Sequence, residues 1–246
     1  MSTNQPQELH IFKDNTLWQE AVIGFIVDVI SDSLTEKDHC SISLSGGSTP
    51  RQIYERLAKE GVKRGINWET VHFYWGDERA VPHTHPDSNY KMVKEALLDH
   101  IDISAENVHP MPTPDQPESS ASVYGLELQT KFAPEGNSFD LSLLGLGDDG
   151  HTASIFPHTD LVREQRAWVK EVYLEDKDVY RISVTAPVIN RSRYIAFLVT
   201  GRNKADALKE VLHGEENPEE YPAQLIRKSP NVHFFLDRDA AGEIEA

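Results

Sequence analysis

Apolar residues recur along this chain with two different spacings, which alternate from one segment to the next. Short apolar runs predict strands, and stretches with apolar residues three or four positions apart predict helices. Because the two patterns alternate almost throughout, they predict an α/β fold with a mainly parallel sheet flanked by helices. The predicted strands span residues 8–12, 39–44, 70–75, 139–144, 168–173, 180–185, 194–200 and 232–236. The predicted helices span residues 18–29, 51–60, 88–100, 119–132 and 201–213.

Capping residues mark two of the helix starts. Asp14 or Asn15 precedes the first helix as its cap, and Thr49 caps the second, with Pro50 at the first helical position. The proline-rich residues 110–117 predict a loop. No repeat, low-complexity tract or linker interrupts the pattern, so we expect one domain over residues 1–246.

Net charge narrows the range of partners. The chain has 24 basic and 40 acidic residues, which gives a formal charge of −16. Such a balance keeps a protein soluble and disfavours binding to nucleic acid or to an anionic membrane. An anionic substrate would therefore require basic side chains concentrated at one place.

Cysteine content and the N-terminal segment bear on the compartment. Cys40 is the sole cysteine, so no intrachain disulfide forms and a reducing compartment is favoured. The apolar run at residues 21–30 contains Asp28, is too short to span a bilayer, and has no basic region closely before it. We expect a cytoplasmic protein with no obligate protein partner.

The predicted strands end in unusual loops, and ligands of open parallel sheets bind at such ends. The first loop, residues 45–50, places two glycines and a serine before a helix, where backbone N–H groups and the helix dipole attract an anion. The alternative is a tight turn with a Ser/Thr cap. The loop lacks the lysine of a P-loop, which disfavours a nucleoside triphosphate.

Two further loops carry cations. Arg79 follows the strand at 70–75, where its planar donors suit a phosphate or carboxylate, unless it pairs internally with Asp77 or Glu78. Lys204, or Arg202, lies in the first turn of a helix, where the dipole disfavours a cation. A cation in that place indicates a bound anion, and a solvated side chain is the alternative.

The most informative loop, residues 144–157, follows the predicted strand at 139–144. It contains three glycines together with Asp148, Asp149 and His151. An acid two residues from a histidine at a strand exit is typical of a proton-transfer pair.

Other interpretations of that loop fail on spacing and charge. Residues 145–150 match the dinucleotide pattern G-x-G-x-x-G, with Glu171 further on. Pro157 nevertheless leaves room for only about one helical turn, and two aspartates would face the pyrophosphate. A calcium loop would need a closing glutamate that is absent.

The sequence contains no recognisable motif for metal binding or for acyl-enzyme chemistry. His83 and His85 form a loop pair without the spacing or thiolates of a structural zinc site, so we expect no metal site. No serine occupies a G-x-S-x-G elbow.

Taken together, these segments resemble the 6-phosphogluconolactonase family. The resemblance implies a modified Rossmann-like fold shared with glucosamine-6-phosphate deaminase, ribose-5-phosphate isomerase and the CoA transferases. It also implies hydrolysis of 6-phospho-D-glucono-1,5-lactone, a phosphosugar lactone, without a cofactor. The matching residues are 43–50, 75–82 with 88–90, 144–157, 181–190 with 197–201, and Lys204.

The resemblance also implies roles for individual residues. His151 matches the proposed general base and Asp149 its neighbour. The positions associated with substrate and phosphate are Gly46, Gly47, Ser48, Arg79, Lys204 and Arg181.

Two alternatives to the lactonase remain open. The deaminase places a catalytic acid five residues past the histidine, where this chain has Phe156. A non-catalytic sugar-phosphate sensor would need an output domain, for which the chain has no spare segment or basic patch.

Overall fold

In the part of the chain that the structure describes, ten strands build two sheets. The computed structural model describes residues 7–113, 116–228, 231–242 and 244. In chain order the strands of these residues are β1 Glu8–Phe12, β2 Cys40–Leu44, β3 Val71–Trp75, β4 Asp77–Arg79, β5 Val108–His109, β6 Leu141–Leu144, β7 Val169–Leu174, β8 Val179–Val184, β9 Tyr194–Val199 and β10 Val232–Asp237.

The larger sheet has seven strands in the order β1-β10-β9-β6-β2-β3-β5. Every neighbouring pair in it runs parallel. The predicted α/β fold with a mainly parallel sheet is thereby confirmed, and the predicted strands agree with the observed ones to within two residues. The two-residue strand β5 was not predicted, because so short a segment has no periodicity of its own.

The smaller sheet has three antiparallel strands in the order β4-β8-β7. Residues 76–79 were predicted as a loop, which is wrong for β4. Asp77–Arg79 pairs with β8, and Arg79 lies directly opposite Arg181. Three residues are too few to show an alternating pattern, so only the pairing partner makes this segment a strand.

The helices fill the connections between strands. Asp14, one of the two predicted caps, accepts a hydrogen bond from the Leu17 N–H at 2.9 Å. The α-helices of the described residues are α1 Asn15–Glu36, α2 Ser48–Glu60, α3 Asn89–Ala96, α4 Pro117–Phe132, α5 Ala186–Ile189, α6 Ala205–His213 and α7 Arg238–Ala241.

The starts of several helices differ from the prediction, including those of α2, α4 and α6. The helix α2 begins at Ser48 with Gly47 as its cap, so the predicted Thr49 cap is wrong. The Thr49 hydroxyl instead lies 2.9 Å from that of Thr200, across the sheet edge. The helix α4 begins at Pro117, and α6 begins at Ala205 after a short 3₁₀ turn over Arg202–Lys204.

The core lies around the middle strands of the larger sheet. Every residue of β2 and β6 is buried, including the serines Ser41, Ser43 and Ser142, because helices cover both faces of a parallel sheet. The helix α1 buries Trp18, Val22 and Ile26 at helical spacing, and the Trp18 indole donates to the Phe235 carbonyl at 3.0 Å. Within the described residues, no helix has the length and apolar character that crossing a membrane requires.

Candidate active site

A pocket of about 270 Å³ opens where three neighbouring strands, β9, β6 and β2, end. Parallel strands present their carboxyl ends at one edge of a sheet, so loops distant in sequence meet there. This volume suits a small metabolite. The sequence-predicted residues that line the pocket are Gly46, Gly47, Ser48, Arg79, His151 and Lys204.

The glycine loop forms the wall at the start of α2. Gly47 has a φ of +106°, a conformation that strains any residue with a Cβ atom. No side-chain hydrogen bond caps the start of α2. The first N–H groups of this helix therefore lack the acceptor that a capping residue usually supplies. At Gly46, a Cβ atom would lie 1.9 Å from Asn89 Oδ1. The loop thus brings backbone donors close to the pocket, as an anion site requires.

Glu78 organises the segment that faces the glycine loop. Its carboxylate is buried and accepts hydrogen bonds from the Ser88 hydroxyl at 3.0 Å and from the N–H groups of Asn89 and Tyr90 at 2.7 and 2.8 Å. Burial raises the pKa of Glu78, and the donated backbone hydrogen bonds oppose that rise. The carboxylate also accepts from the backbone N–H of Arg79 at 2.7 Å, so Glu78 holds the backbone of this segment and does not bind the Arg79 guanidinium.

Arg79 leaves β4 and lines the pocket. Its guanidinium donates to the Asp87 carbonyl, which orients the side chain without neutralising it. Within the described part of the chain, no carboxylate lies within 4.0 Å of Arg79 to form an ion pair. The internal pairing with Asp77 or Glu78 that the sequence left open does not occur.

Arg181 lies beside Arg79 rather than on the pocket wall. The two residues are cross-strand partners on β4 and β8. Burial and the adjacent Arg79 charge lower the pKa of Arg181. Two neighbouring guanidiniums repel each other, and an anion bound between or beside them would offset that repulsion.

Lys204 supplies the third cation, from the 3₁₀ turn that precedes α6. It is partly buried, whereas Arg202 in the same turn is exposed and does not line the pocket. The structure therefore decides between the two cations in favour of Lys204. Like Arg79, Lys204 has no carboxylate within 4.0 Å among residues the structure describes, which leaves its charge available to a ligand.

His151 and Asp149 form a close pair beside these cations. His151 Nδ1 lies 2.5 Å from Asp149 Oδ1, and the same oxygen accepts from the His151 N–H at 3.1 Å. Burial raises the pKa of Asp149, but the hydrogen bond and charge of His151 outweigh it and lower the pKa to about 2. The carboxylate is thus ionised at neutral pH, and the Nδ1 contact leaves Nε2 of the imidazole to face other groups.

Gly147 and Phe156 hold the imidazole in place. A Cβ atom at position 147 would lie 2.1 Å from His151 Nδ1 and 2.4 Å from Asp149 Oδ1, so the pair occupies the space that glycine leaves. The Phe156 ring stacks on the imidazole with centroids 4.0 Å apart. Sequence analysis did not assign Phe156 this contact, since ring stacking depends on the path of the loop.

Asp77 and Ser154 join the histidine loop to the smaller sheet. The Ser154 hydroxyl donates to Asp77 Oδ2 at 2.8 Å, and the Asn89 amide donates to Asp77 Oδ1 at 3.2 Å. Asp77 and Asn89 also line the pocket. These positioning contacts were missed, because residues 77 positions apart carry no local signal of their proximity.

The loop at residues 145–150 does not serve a dinucleotide. A dinucleotide site needs a long helix after the glycines, but the described chain turns through residues 152–155 and reaches only the 3₁₀ turn Asp160–Arg163. Among the described residues, the pocket does not gather three metal ligands at one point.

Comparison with known proteins places this chain among sugar-phosphate enzymes. A 6-phosphogluconolactonase from Synechocystis sp. is 43% identical over 226 residues, which cover 90% of this chain and 91% of that protein. The crystal structure of a 6-phosphogluconolactonase from Thermotoga maritima is 30% identical, with a TM-score of 0.82 over 95% of this chain and 100% of that one.

A monomeric glucosamine-6-phosphate deaminase shares the fold as well. Its TM-score is 0.83 over 96% of this chain and 99% of that one, at 20% identity. The profile of the family described as glucosamine-6-phosphate isomerases/6-phosphogluconolactonase matches residues 13–234. The chain therefore belongs to the glucosamine-6-phosphate isomerase/6-phosphogluconolactonase family.

Proposed function

We propose that this protein is a 6-phosphogluconolactonase, which hydrolyses 6-phospho-D-glucono-1,5-lactone to 6-phosphogluconate in the pentose phosphate pathway. One observation carries the proposal: the imidazole of His151, which is paired with Asp149, lines one small pocket together with Arg79 and Lys204, and neither cation has an ion-pair partner among the described residues. The pair suits proton transfer from water, and the cations suit the phosphate of the substrate.

Water attack begins at His151. Asp149 accepts the Nδ1–H of the imidazole, which fixes the tautomer in which Nε2 carries a lone pair. Nε2 takes a proton from a water molecule as the water oxygen bonds to the lactone carbonyl carbon. The ionised Asp149 stabilises the imidazolium that forms.

Collapse of the tetrahedral intermediate completes the reaction. Backbone N–H groups of the glycine-rich loops stabilise the oxyanion on the former carbonyl oxygen. His151 then returns its proton to the ring oxygen as the bond between that oxygen and the carbonyl carbon breaks. Every step uses side chains, backbone donors and water.

The phosphate holds the substrate in position. Arg79 and Lys204 bind it at the pocket wall, and Arg181 adds positive charge beside Arg79. Because the phosphate is remote from the bond that breaks, this binding energy serves to orient the carbonyl against His151. The three cations also create a local positive potential on a strongly acidic protein.

The deaminase alternative is disfavoured by one contact. Phe156 occupies the position of the catalytic acid, and its ring stacks on the imidazole of His151. An aromatic ring cannot exchange a proton with the sugar, so ring opening by that acid has no counterpart here.

Acid release from freshly generated 6-phosphogluconolactone tests the proposal. We expect the protein to accelerate acid release well above the spontaneous hydrolysis measured in the same buffer without protein. Ammonia release from glucosamine 6-phosphate serves as the parallel assay. Acceleration of the second reaction alone would favour the deaminase, and no acceleration of either would favour a sensor.

Gly147→Ala tests the geometry of the His–Asp pair. The added Cβ atom would meet His151 Nδ1 and Asp149 Oδ1, so the pair must move. Because a displacement of about 1 Å lowers turnover by as much as about 100-fold, we expect kcat to fall by about 10–100-fold. Gly24→Ala in α1 is the control, since a Cβ atom there meets nothing within 4 Å and position 24 does not line the pocket. Equal turnover in the two variants would contradict the proposed role of the pair.

A further inference from the structure

Three potential metal ligands meet at the edge of the larger sheet. Glu8 and His10 lie two residues apart on the edge strand β1, so their side chains share one face. His233 lies on the neighbouring strand β10, directly opposite Glu8 in the register. Among the described residues, this is the group of histidine, cysteine and acidic side chains that could hold a metal ion.

The three ligand atoms form a nearly regular triangle. His10 Nε2 lies 3.2 Å from His233 Nδ1, and Glu8 Oε2 lies 3.6 Å from the first and 3.3 Å from the second. In a tetrahedral zinc site with bonds of about 2.0–2.1 Å, two ligand atoms are about 3.3–3.4 Å apart. The triangle therefore has the dimensions of one face of such a site.

We propose that Glu8, His10 and His233 bind one Zn²⁺ ion, with water as the fourth ligand. Two imidazoles and a carboxylate are donors that zinc accepts, and three protein ligands leave one coordination position open. The imidazoles now face each other across a single N–H···N contact. On binding, the imidazole that donates in this contact releases its facing proton to water and takes one up on its other ring nitrogen, so both facing nitrogens present lone pairs to the ion.

The surroundings support an ion at this place. The Glu8 side chain is 63% exposed, which gives the ion and its water an open approach, whereas that of His233 is 11% exposed. The Phe25 ring lies 4.5 Å from the His233 ring and the Phe235 ring lies 4.7 Å from the His10 ring, centroid to centroid. These apolar walls restrict the imidazoles and so reduce the entropy lost on binding.

The ion would join the edge strand to the sheet. It bridges β1 and β10 near their amino-terminal ends, whereas the pocket lies at the carboxyl ends of the strands. Its effect is therefore on stability, independent of the lactonase reaction. The sequence analysis predicted no metal site, because His10 and His233 are 223 positions apart and form no local motif.

Zinc titration of the metal-free full-length protein, followed by calorimetry and by competition with a chromogenic chelator, tests the proposal. We expect one Zn²⁺ per chain and a rise in Tm at saturation. His10→Gln, His233→Gln and Glu8→Gln should each weaken Zn²⁺ binding by more than about 10-fold and abolish the rise in Tm.

His72→Gln is the matched control. His72 Nδ1 lies 3.1 Å from His109 Nε2, but the nearby Glu127 contacts the other nitrogen of His109, so the three groups do not converge. This variant should bind Zn²⁺ like the unmodified chain. Because Glu8 is exposed, Glu8→Gln should fold whatever happens to the histidine variants. Unchanged affinity in Glu8→Gln and His10→Gln, or no binding by the unmodified chain, would overturn the proposal.

Discussion

His151→Ala should lower kcat for 6-phosphogluconolactone by about 10²–10⁴-fold, the usual contribution of a general base. The imidazole acts on water rather than on the phosphate, so KM should change by no more than about three-fold. Steady-state acid release, corrected for spontaneous hydrolysis, separates the two constants. The loss should appear in kcat because the substrate still binds through Arg79 and Lys204.

A second histidine near the loop supplies the control. His158 is exposed and its Nε2 lies 3.2 Å from Glu220, so it too has an acidic partner, but it does not line the pocket. Its φ of 61° makes asparagine the suitable replacement. His158→Asn should retain turnover. If His151→Ala retained it as well, the imidazole would not be the base.

Lys204→Ala and Arg79→Ala should each raise KM for the phosphorylated lactone by about 10–100-fold. That range follows from the loss of about 1.5–3 kcal/mol for a hydrogen bond to a charged group. Unphosphorylated gluconolactone has no phosphate to lose, so its KM should change far less. The measured quantity is the ratio of the two KM values for each variant.

Arg202→Ala controls for the removal of a cation from the same turn. Arg202 lies two residues before Lys204, but it is exposed and does not line the pocket. Screening by solvent makes its expected effect on KM small. If Lys204→Ala raised KM equally for both substrates, Lys204 would not bind the phosphate.

Local patterning explains why most elements were predictable. Asp14 caps α1 through a contact three residues away, and β2 and β6 consist of apolar and small residues because both faces are covered. Such signals lie within one element and need no knowledge of the rest of the chain. The glycine loop at residues 45–50 and the histidine loop at 144–157 are recognisable for the same reason.

The errors arise where a distant partner decides the local structure. Asp77–Arg79 becomes a strand because β8 supplies its hydrogen bonds. Contrary to the prediction, Thr49 is not the cap of α2, and its hydroxyl contacts that of Thr200 instead. In both cases the competing contact is more than a hundred residues away, beyond the reach of any propensity.

The sequence by itself determined most of the longer strands and helices, the acidic charge, and the candidate chemistry of Arg79, Lys204 and the Asp149–His151 pair. Only the tertiary structure decided that the Glu78 carboxylate binds Ser88, Asn89 and Tyr90 rather than the Arg79 guanidinium. It also decided that Arg181 lies opposite Arg79 and which cation of the 202–204 turn lines the pocket. The reason is physical: periodicity and capping act over a few residues. A pocket at the edge of a parallel sheet instead gathers loops whose proximity depends on strand order.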